Sequence, residues 1–343
     1  MKTLFTYAYA EGLGNGGKID ESNLEYFIKV AIRGNTPGMF DPCGDISYNI
    51  VVNGNLCTPC MRTLPEVLRL SDSPGVSQRV NVQYRDNFGM DFGAYNHSIE
   101  WARRNHFEFS YYIFINSSFR GPFMPKWTPR NFHFTHTLTY RMRLNNVKLA
   151  GAYLSCLPAD LEPVAGPILE TGFFALDTTS LQWATEAGVF NVHAKKHLTI
   201  LNSEYGLMSC ITRKGGNVDT LLTRYREGID WRTQAHALCN DNRHSSRRGA
   251  LEGGISANIY ESIFVKLSWC VRAKEAAITS RWLMKLAAGQ NGTEGTLDEK
   301  GWRRGIIDAG TTSKTGMLPP DITPDGCHAG DLQEVLEPLY SPI

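Results

Sequence analysis

The sequence predicts an α/β fold, in which a mostly parallel sheet is flanked by helices and followed by a C-terminal helical extension. Strands and helices alternate along residues 1–118, and the strands are nearly continuous apolar runs. Such strands are buried on both faces, and their alternation with helices is typical of parallel sheets. After residue 289 the composition shifts to Gly, Thr, Asp and Pro, which predicts a loose tail.

The first part of the chain predicts the element order β-α-β-α-β-α-β. A strand begins almost at Met1, and the strongest strand, residues 109–115, is almost wholly aromatic and β-branched. Apolar residues at helical spacing predict the helices between strands, and glycines mark their ends. The elements after the first strand are a helix over 20–34, a strand over 46–52, a helix over 63–70, a strand over 79–84, a helix over 91–105 and the strand over 109–115.

The second part is more irregular, because Gly121-Pro122, Pro125 and Pro129 interrupt it. The pattern predicts helices over 132–143, 179–187, 204–213 and 273–288, strands over 148–156 and 168–176, and an ordered segment over 259–269. We expect one domain over 1–270, with halves 1–118 and 119–270, then a packed helix over 271–288 and a tail over 289–343.

Charge and composition exclude several classes of protein. The chain has 35 Lys+Arg against 34 Asp+Glu, so bulk charge does not favour binding to nucleic acid or to an anionic membrane. No apolar run approaches the ~18–20 residues of a membrane span, and no signal peptide precedes Glu11. Eight dilute cysteines indicate buried thiols in a reducing compartment. A cytoplasmic location follows, with the Golgi or ER lumen open only if an anchor was removed.

Polar residues follow several predicted strands, where ligands of open parallel sheets bind. The small residues there would let a flat base or a ribose approach the backbone. Asp91 is the N-cap candidate of the helix over 91–105, and an ordinary capped connection is the alternative interpretation. The residues at these strand ends are Ala8, Tyr9, Asn53, Asn87, Gly89, Asp91, Asn116 and Ser117.

Five sequence motifs follow one another along the chain. They are Tyr7-x-Tyr9 with Asn23-Leu24-x-x-Phe27, Val51-Val52-Asn53-Gly54, Asn87-x-Gly89-x-Asp91-x-Gly93-Ala94-Tyr95, Phe114-Ile115-Asn116-Ser117-Ser118-x-Arg120-Gly121-Pro122-Phe123, and Tyr260-Glu261-x-x-Phe264-Val265-Lys266. In this order they resemble GT-A glycosyltransferases of a polysaccharide-synthesis type, related to the rhamnan-synthesis family of algae, fungi, bacteria and large viruses.

The resemblance implies a GT-A fold, a UDP- or GDP-sugar donor and a glycan acceptor. It makes the strand-end residues and Arg120 the donor site and places Glu204 where inverting relatives carry their catalytic carboxylate. There Glu204 would take the proton of the acceptor hydroxyl. The alternative is that Glu204 only favours a helix N-terminus. Lys195 and Lys196, in a basic segment before Glu204, would neutralise the leaving diphosphate or lie in a solvated loop.

Two departures from the family pattern concern metal binding. Asn116-Ser117-Ser118 stands where metal-dependent relatives place Asp-x-Asp, and Asn258-Ile259 stands where related chains often have His-Pro. A neutral triplet is a poor site for a hard cation. We therefore expect that Mn²⁺ or Mg²⁺ is not strictly needed, with Asp91 as the candidate ligand if one binds.

Other functions compete with sugar transfer. A catalytically silent module that binds a nucleotide or a glycan would explain the missing Asp-x-Asp. A dinucleotide-dependent oxidoreductase lacks the Gly-x-Gly-x-x-Gly turn at the required place. Cys57-Thr58-Pro59-Cys60 has no second ligand pair for zinc and is expected to be structural or incidental. Arg243, Arg247 and Arg248 lie in a polar stretch and could clamp phosphate.

Overall fold

A computed structural model of the chain describes residues 1–11, 21–157, 166–225, 228–233, 244–247, 250–251, 256–267 and 272–289. The expected tail beyond residue 289 lies outside the described residues, as do Arg243 and Arg248.

A seven-stranded sheet forms the centre of the molecule, in the order β10-β6-β9-β4-β1-β2-β3. All of its neighbours pair in parallel except β9, which runs antiparallel to both β4 and β6. Two-stranded antiparallel pairs, β5 with β11 and β7 with β8, lie outside the main sheet. The strands are β1 (Thr3–Tyr9), β2 (Ile46–Asn53), β3 (Val80–Arg85), β4 (Tyr111–Asn116), β5 (Phe119–Arg120), β6 (Val147–Gly151), β7 (Leu154–Leu157), β8 (Gly166–Leu169), β9 (Phe173–Asp177), β10 (Asn217–Thr220) and β11 (Val265–Lys266).

Helices cover the sheet, so the predicted α/β class is confirmed. Two of the helical segments are π-helices, Ile28–Ile32 directly after α1 and Thr199–Glu204 directly before α8. Short 3₁₀ turns occupy Val76–Gln78 and Arg141–Arg143. The α-helices are α1 (Ser22–Phe27), α2 (Thr58–Arg62), α3 (Leu64–Leu70), α4 (Met90–Arg104), α5 (His136–Thr139), α6 (Thr178–Glu186), α7 (Lys196–Leu198), α8 (Tyr205–Arg213), α9 (Ile259–Ser262) and α10 (Ala273–Ala287).

Two hydrophobic clusters lie on opposite faces of the sheet. Along β1, Phe5 and Tyr7 belong to one cluster and Leu4 and Ala8 to the other, because successive side chains of a strand point to opposite faces of the sheet. The first cluster includes Leu283 of α10, and the second includes side chains of α4 and α8 packed on the strands. The sheet is therefore buried on both faces, as its apolar strands predict.

Three predictions about the second half are corrected by the structure. The single strand predicted over 168–176 is two strands, β8 and β9, with residues 170–172 between them. The predicted helix over 132–143 is limited to α5 and the 3₁₀ turn, because the amide of Phe134 donates to the carbonyl of Gly38 at 2.8 Å and ties the chain to another segment. The strand predicted over 148–156 is broken after Gly151, where β6 ends and the chain leaves the main sheet, and β7 then pairs with β8.

None of the helices in the described ranges combines the length and apolarity that crossing a bilayer would require.

Candidate functional site

A cavity of about 640 Å³ lies at the carboxyl ends of β1, β2 and β4. Ala8 and Tyr9 line it from β1, Asn53 from β2, and Asn116 and Ser117 from the end of β4. The carboxyl ends of parallel strands meet at one edge of a sheet, which is why residues from three distant segments converge here.

The connection between β3 and α4 forms one wall of this cavity. Its N-cap residue is Gly89, with φ of 76°, so the prediction that Asp91 is the N-cap is wrong. The left-handed conformation of Gly89 favours glycine, and Asp91 becomes the second residue of the helix. Asn53 Nδ2 donates to the carbonyl of Met90 at 3.0 Å, which joins the end of β2 to the start of this helix. Asn87 also lines the cavity.

Asp91 is half-buried where α4 meets the end of β4. Its carboxylate accepts a hydrogen bond from Asn116 Nδ2 at 3.0 Å and another from the amide of Phe92 at 3.1 Å. Burial raises the pKa of Asp91, and these hydrogen bonds partly oppose that effect by favouring the charged form. Asp91 and Asn116 therefore form a fixed polar pair in the cavity wall.

Glu204 lines the facing wall, at the junction between the second π-helix and α8. Burial, and then the nearby carboxylate of Asp91, raise the pKa of Glu204 to about 7. Lys266 and Lys196 act in the opposite direction. A carboxyl group with a pKa near neutrality can exchange a proton at physiological pH, which is the property required of a general base.

Glu170 and Lys266 also line the cavity, and the sequence analysis assigned neither of them a role. Glu170 precedes β9, and its carboxylate accepts hydrogen bonds from Ser155 Oγ, from Ser245 Oγ at 3.2 Å, and from the amide of Ser246 at 3.1 Å. These bonds attach residues 244–247 to the cavity wall, where His244 contributes to the lining.

Lys266 reaches the cavity from β11. Burial lowers the pKa of this lysine, and the carboxylates of Glu170, Glu204 and Asp91 oppose that effect. Lys266 could have been identified from the sequence, because it ends the motif that runs from Tyr260 to Lys266. Glu170 belongs to none of the motifs, so the sequence did not indicate that it lines the site.

Three residues predicted for the site lie outside the cavity lining. Gly89 shapes the turn without lining the cavity, and Lys195 is the exposed residue before α7, while Lys196 does line it. Arg120 is only 2% exposed. Its guanidinium donates to Asn23 Oδ1 at 2.9 Å and to Ser22 Oγ at 2.5 Å. Arg120 therefore joins β5 to the start of α1 and does not line the cavity.

The oxygen atoms beside the triplet do not suit a resident Mn²⁺ or Mg²⁺. Asn116 uses its amide nitrogen on Asp91, and its Oδ1 accepts from the amide of Ser118 at 3.2 Å and from Ser118 Oγ at 2.5 Å. Asp91 alone supplies a carboxylate at this point. Within the described part of the chain, no three His, Cys, Asp or Glu side chains are grouped so that they could hold a metal ion. Hard cations take several oxygen ligands, and this set is too small.

A second cavity of about 640 Å³ adjoins the first and shares Ile168 and Tyr205 with it. Polar side chains from α8 and from the segment before it line this space, including Asn202, Ser209 and Arg213. Tyr205 directly follows Glu204, so Glu204 lies where the two cavities meet.

Cys57 and Cys60 form a disulfide, which corrects the expectation of thiols at these two positions. Cys57 is the N-cap residue of α2, and the first residue of that helix, Thr58, donates its amide to Glu11 Oε2 at 2.6 Å. Glu11 also accepts from the hydroxyl of Tyr9 at 3.0 Å. The disulfide therefore supports the end of β1 through Glu11. Cys43 and Cys210 are free.

No protein-family model matches the chain, and no curated protein matches it. Solved structures with a similar arrangement include the mannosyltransferase PcManGT from Pyrobaculum calidifontis in complex with GDP-Man and Mn²⁺, at 11% identity and a TM-score of 0.36, covering 89% of this chain and 80% of that one. A nucleoside-diphosphate-sugar pyrophosphorylase from Vibrio cholerae RC9 has 11% identity and a TM-score of 0.36, over 63% of this chain and 91% of its own. The glycosyltransferase GlyE from Streptococcus pneumoniae TIGR4 has 12% identity and a TM-score of 0.30, over 64% of this chain and 44% of its own. These likenesses describe the fold alone.

Proposed function

We propose that the protein is a glycosyltransferase that moves a sugar from a UDP- or GDP-sugar to a hydroxyl group of a glycan acceptor. The observation that carries this proposal is the position of Glu204, a half-buried carboxyl group that lines the same cavity as the polar strand ends, and desolvation raises its pKa to about 7. A base of this kind and a pocket for a polar, flat ligand are the two parts that such a transfer requires.

In this proposal the nucleotide sugar occupies the cavity with its nucleobase near the small residue Ala8 and the aromatic Tyr9. Asn53 and Asn116 offer amide groups to the ribose or the sugar, and the carboxylate of Asp91 can accept from a sugar hydroxyl. Lys196 lines the cavity on the side of α7, where it can approach the diphosphate.

The acceptor approaches through the second cavity, which meets the first at Tyr205. A lone pair of its hydroxyl oxygen forms the new bond to the anomeric carbon. The bond from that carbon to the β-phosphate oxygen breaks, and its electron pair leaves with the nucleoside diphosphate. Glu204 takes the proton of the acceptor hydroxyl, so charge and atoms balance, and the configuration at the anomeric carbon is inverted.

The decisive experiment compares Glu204→Gln with the wild type over a panel of UDP- and GDP-sugars with oligosaccharide acceptors. Glutamine keeps the size of the side chain and removes the base, so turnover should fall by ~10²–10⁴-fold while donor binding is retained. For the wild type, kcat/KM should rise with pH up to about 7 and then level off, because the base must be deprotonated.

Glu186→Gln is the matched control, since Glu186 is an exposed residue near the end of α6 and does not line the cavity. Its turnover should equal that of the wild type. Donor binding by the wild type without transfer to any acceptor would instead indicate a silent binding module, and full activity of Glu204→Gln would exclude this residue as the base.

A further inference from the structure

We infer that Lys266 supplies the positive charge at the donor diphosphate that a bound divalent cation supplies in metal-dependent sugar transfer. This inference rests on the proposed function and adds to it a residue that stabilises the leaving group. A departing diphosphate carries the electron pair of the broken bond, so some positive charge must lie beside it.

The first observation is the misfit between the strand end and a metal ion. The amide of Asn116 is hydrogen bonded at both ends within the protein, and a single carboxylate, that of Asp91, lies beside it. These groups can position a sugar or a phosphate through hydrogen bonds, but they cannot replace the charge of a cation.

The second observation is the position of Lys266, which the antiparallel pair of β5 and β11 places next to this same strand end. Lys266 pairs with Phe119, and Phe119 directly follows the Asn116-Ser117-Ser118 triplet. Lys266 Nζ lies 5.9 Å from the centroid of the Phe119 ring, and both residues line the cavity.

The third observation is that the backbone before Lys266 is held at two points. The amide of Phe123 donates to the carbonyl of Ile263 at 2.8 Å, and the hydroxyl of Tyr153 donates to the carbonyl of Phe264 at 2.9 Å. Phe264 and Val265 are fully buried. A charged group on such a segment is already in place when the reaction occurs, which is the condition for effective electrostatic stabilisation.

The surrounding charges fit this role. The carboxylates of Glu170, Glu204 and Asp91 all favour the charged form of Lys266 against the effect of its burial. Lys196, the other lysine in the lining, is exposed and stands at the start of a three-residue helix. Lys266 is therefore the more firmly positioned of these two cations.

During transfer Lys266 donates hydrogen bonds to oxygens of the diphosphate and keeps its own protons. The electron pair of the anomeric C–O bond moves to the β-phosphate oxygen, and the ammonium group stabilises the added negative charge. The acceptor proton still goes to Glu204, so Lys266 changes no bond itself.

The test uses the full chain in excess EDTA, with inorganic pyrophosphate, UDP and GDP as calorimetric probes. The wild type should bind pyrophosphate, Lys266→Met should bind it at least tenfold more weakly, and Lys266→Arg should recover most of the affinity because it keeps the charge. Lys214→Met is the control, because Lys214 is exposed beyond the end of α8 and lies outside both cavities.

With an active donor and acceptor, Lys266→Met should also reduce kcat by ~10²–10³-fold, and added Mn²⁺ should not restore it. Wild-type binding and turnover that both require Mn²⁺ would overturn the inference, as would pyrophosphate binding by Lys266→Met at wild-type affinity. If Lys266→Met fails to fold, two other measurements test the inference. The wild type should bind pyrophosphate in EDTA, and Lys266→Arg should keep most of that affinity; failure of either result would contradict the inference. Pyrophosphate binding that depends on Lys266, without turnover of any nucleotide sugar, would overturn the proposed function and leave the cation site standing.

Discussion

Two half-buried carboxyl groups, Asp91 and Glu204, line the same cavity, and their environments give them different properties. Asp91 is fixed by Asn116 and by the amide of Phe92, whereas Glu204 has its pKa raised to about 7 by burial and by Asp91. Because like charges disfavour each other, the negative charge of Asp91 helps Glu204 to hold a proton at neutral pH. Proton exchange at Glu204 is therefore tuned by a residue that itself contacts the donor in the proposed reaction.

Glu204 also affects the stability of the folded chain. Its folded pKa lies above its ordinary value of 4.5, so the folded state binds more protons than the unfolded state between about pH 4.5 and pH 7. Stability therefore falls as the pH rises through this window, and the loss is complete above the folded pKa.

We expect Glu204→Gln to unfold less readily than the wild type at pH 8, by ~1–3 kcal/mol, because the neutral amide removes a buried charge. At pH 5 the difference should be smaller. Urea unfolding of both proteins at the two pH values measures it. Glu186→Gln should show no such pH dependence, and a difference of equal size at both pH values would contradict the assignment of the raised pKa to Glu204.

At this scale the sequence predicted part of the site. Ala8, Tyr9, Asn53, Asp91, Asn116 and Glu204 were identified from strand ends and from family resemblance, and all of them line the cavity. Arg120 was misplaced because a new strand, formed by Phe119 and Arg120 itself, begins directly after the triplet, and the Arg120 guanidinium is directed into the interior toward Asn23. A charged residue that follows a polar motif closely can still be buried.

At the scale of elements, the start of α4 depends on two glycines, Gly89 in the turn before the helix and Gly93 in its first turn, and the two have different functions. Gly89 adopts a positive φ, whereas Gly93 allows close approach of the backbone. A Cβ atom on Gly93 would lie 2.3 Å from the carbonyl oxygen of Phe88 and 2.8 Å from the guanidinium of Arg85. The helix can thus begin immediately after the turn and bring Asp91 to the cavity.

Gly93→Ala should therefore destabilise the protein by ~1–3 kcal/mol, because a backbone oxygen cannot move aside at low cost. It should also weaken donor binding, since Asp91 shifts with the helix. Gly206→Ala is the matched control, because its Cβ would lie 3.6 Å from the nearest atom, the carbonyl oxygen of Leu201, within α8. That variant should be ~0.5–1 kcal/mol more stable in thermal or urea unfolding. Equal destabilisation by both substitutions would contradict the steric explanation.

The regular elements of the first 118 residues were predictable because apolar periodicity determines them locally. The direction of β9 was not predictable in this way. Its antiparallel direction brings the start of a strand, rather than its end, to the edge where the cavity lies. Glu170 lies in the connection between β8 and β9, and the sequence pattern placed it inside one strand over 168–176, because strand breaks and directions depend on tertiary pairing. Lys266 depends in the same way on the pairing of β11 with β5.

At the scale of the whole molecule, the sheet is continuous across the two halves that the sequence analysis distinguished. β9, from the second half, pairs with β4 of the first half on one side and with β6 on the other. The cavity takes residues from both halves, so neither half contains the candidate site alone.

Limited trypsin digestion of the full chain should therefore cut first beyond residue 289, where Lys300, Arg303, Arg304 and Lys314 provide sites. The product, identified by mass spectrometry, should retain residues 1–289 and the cooperative unfolding of the intact protein. An early cut near residue 150 that releases two separately folded fragments would contradict the single-domain arrangement.

The pair formed by β5 and β11 has a consequence for the order in which the protein acquires its properties. Its two strands lie far apart in the sequence, so joining them closes a long loop, and contacts of this kind are slow to form. We expect the central sheet to assemble before this pair does, and Lys266 to reach the cavity only when the pair is complete. If the proposed function holds, affinity for the nucleotide donor should then appear only at the end of folding, and a ligand added during refolding should protect the completed chains without hastening the steps that produce them.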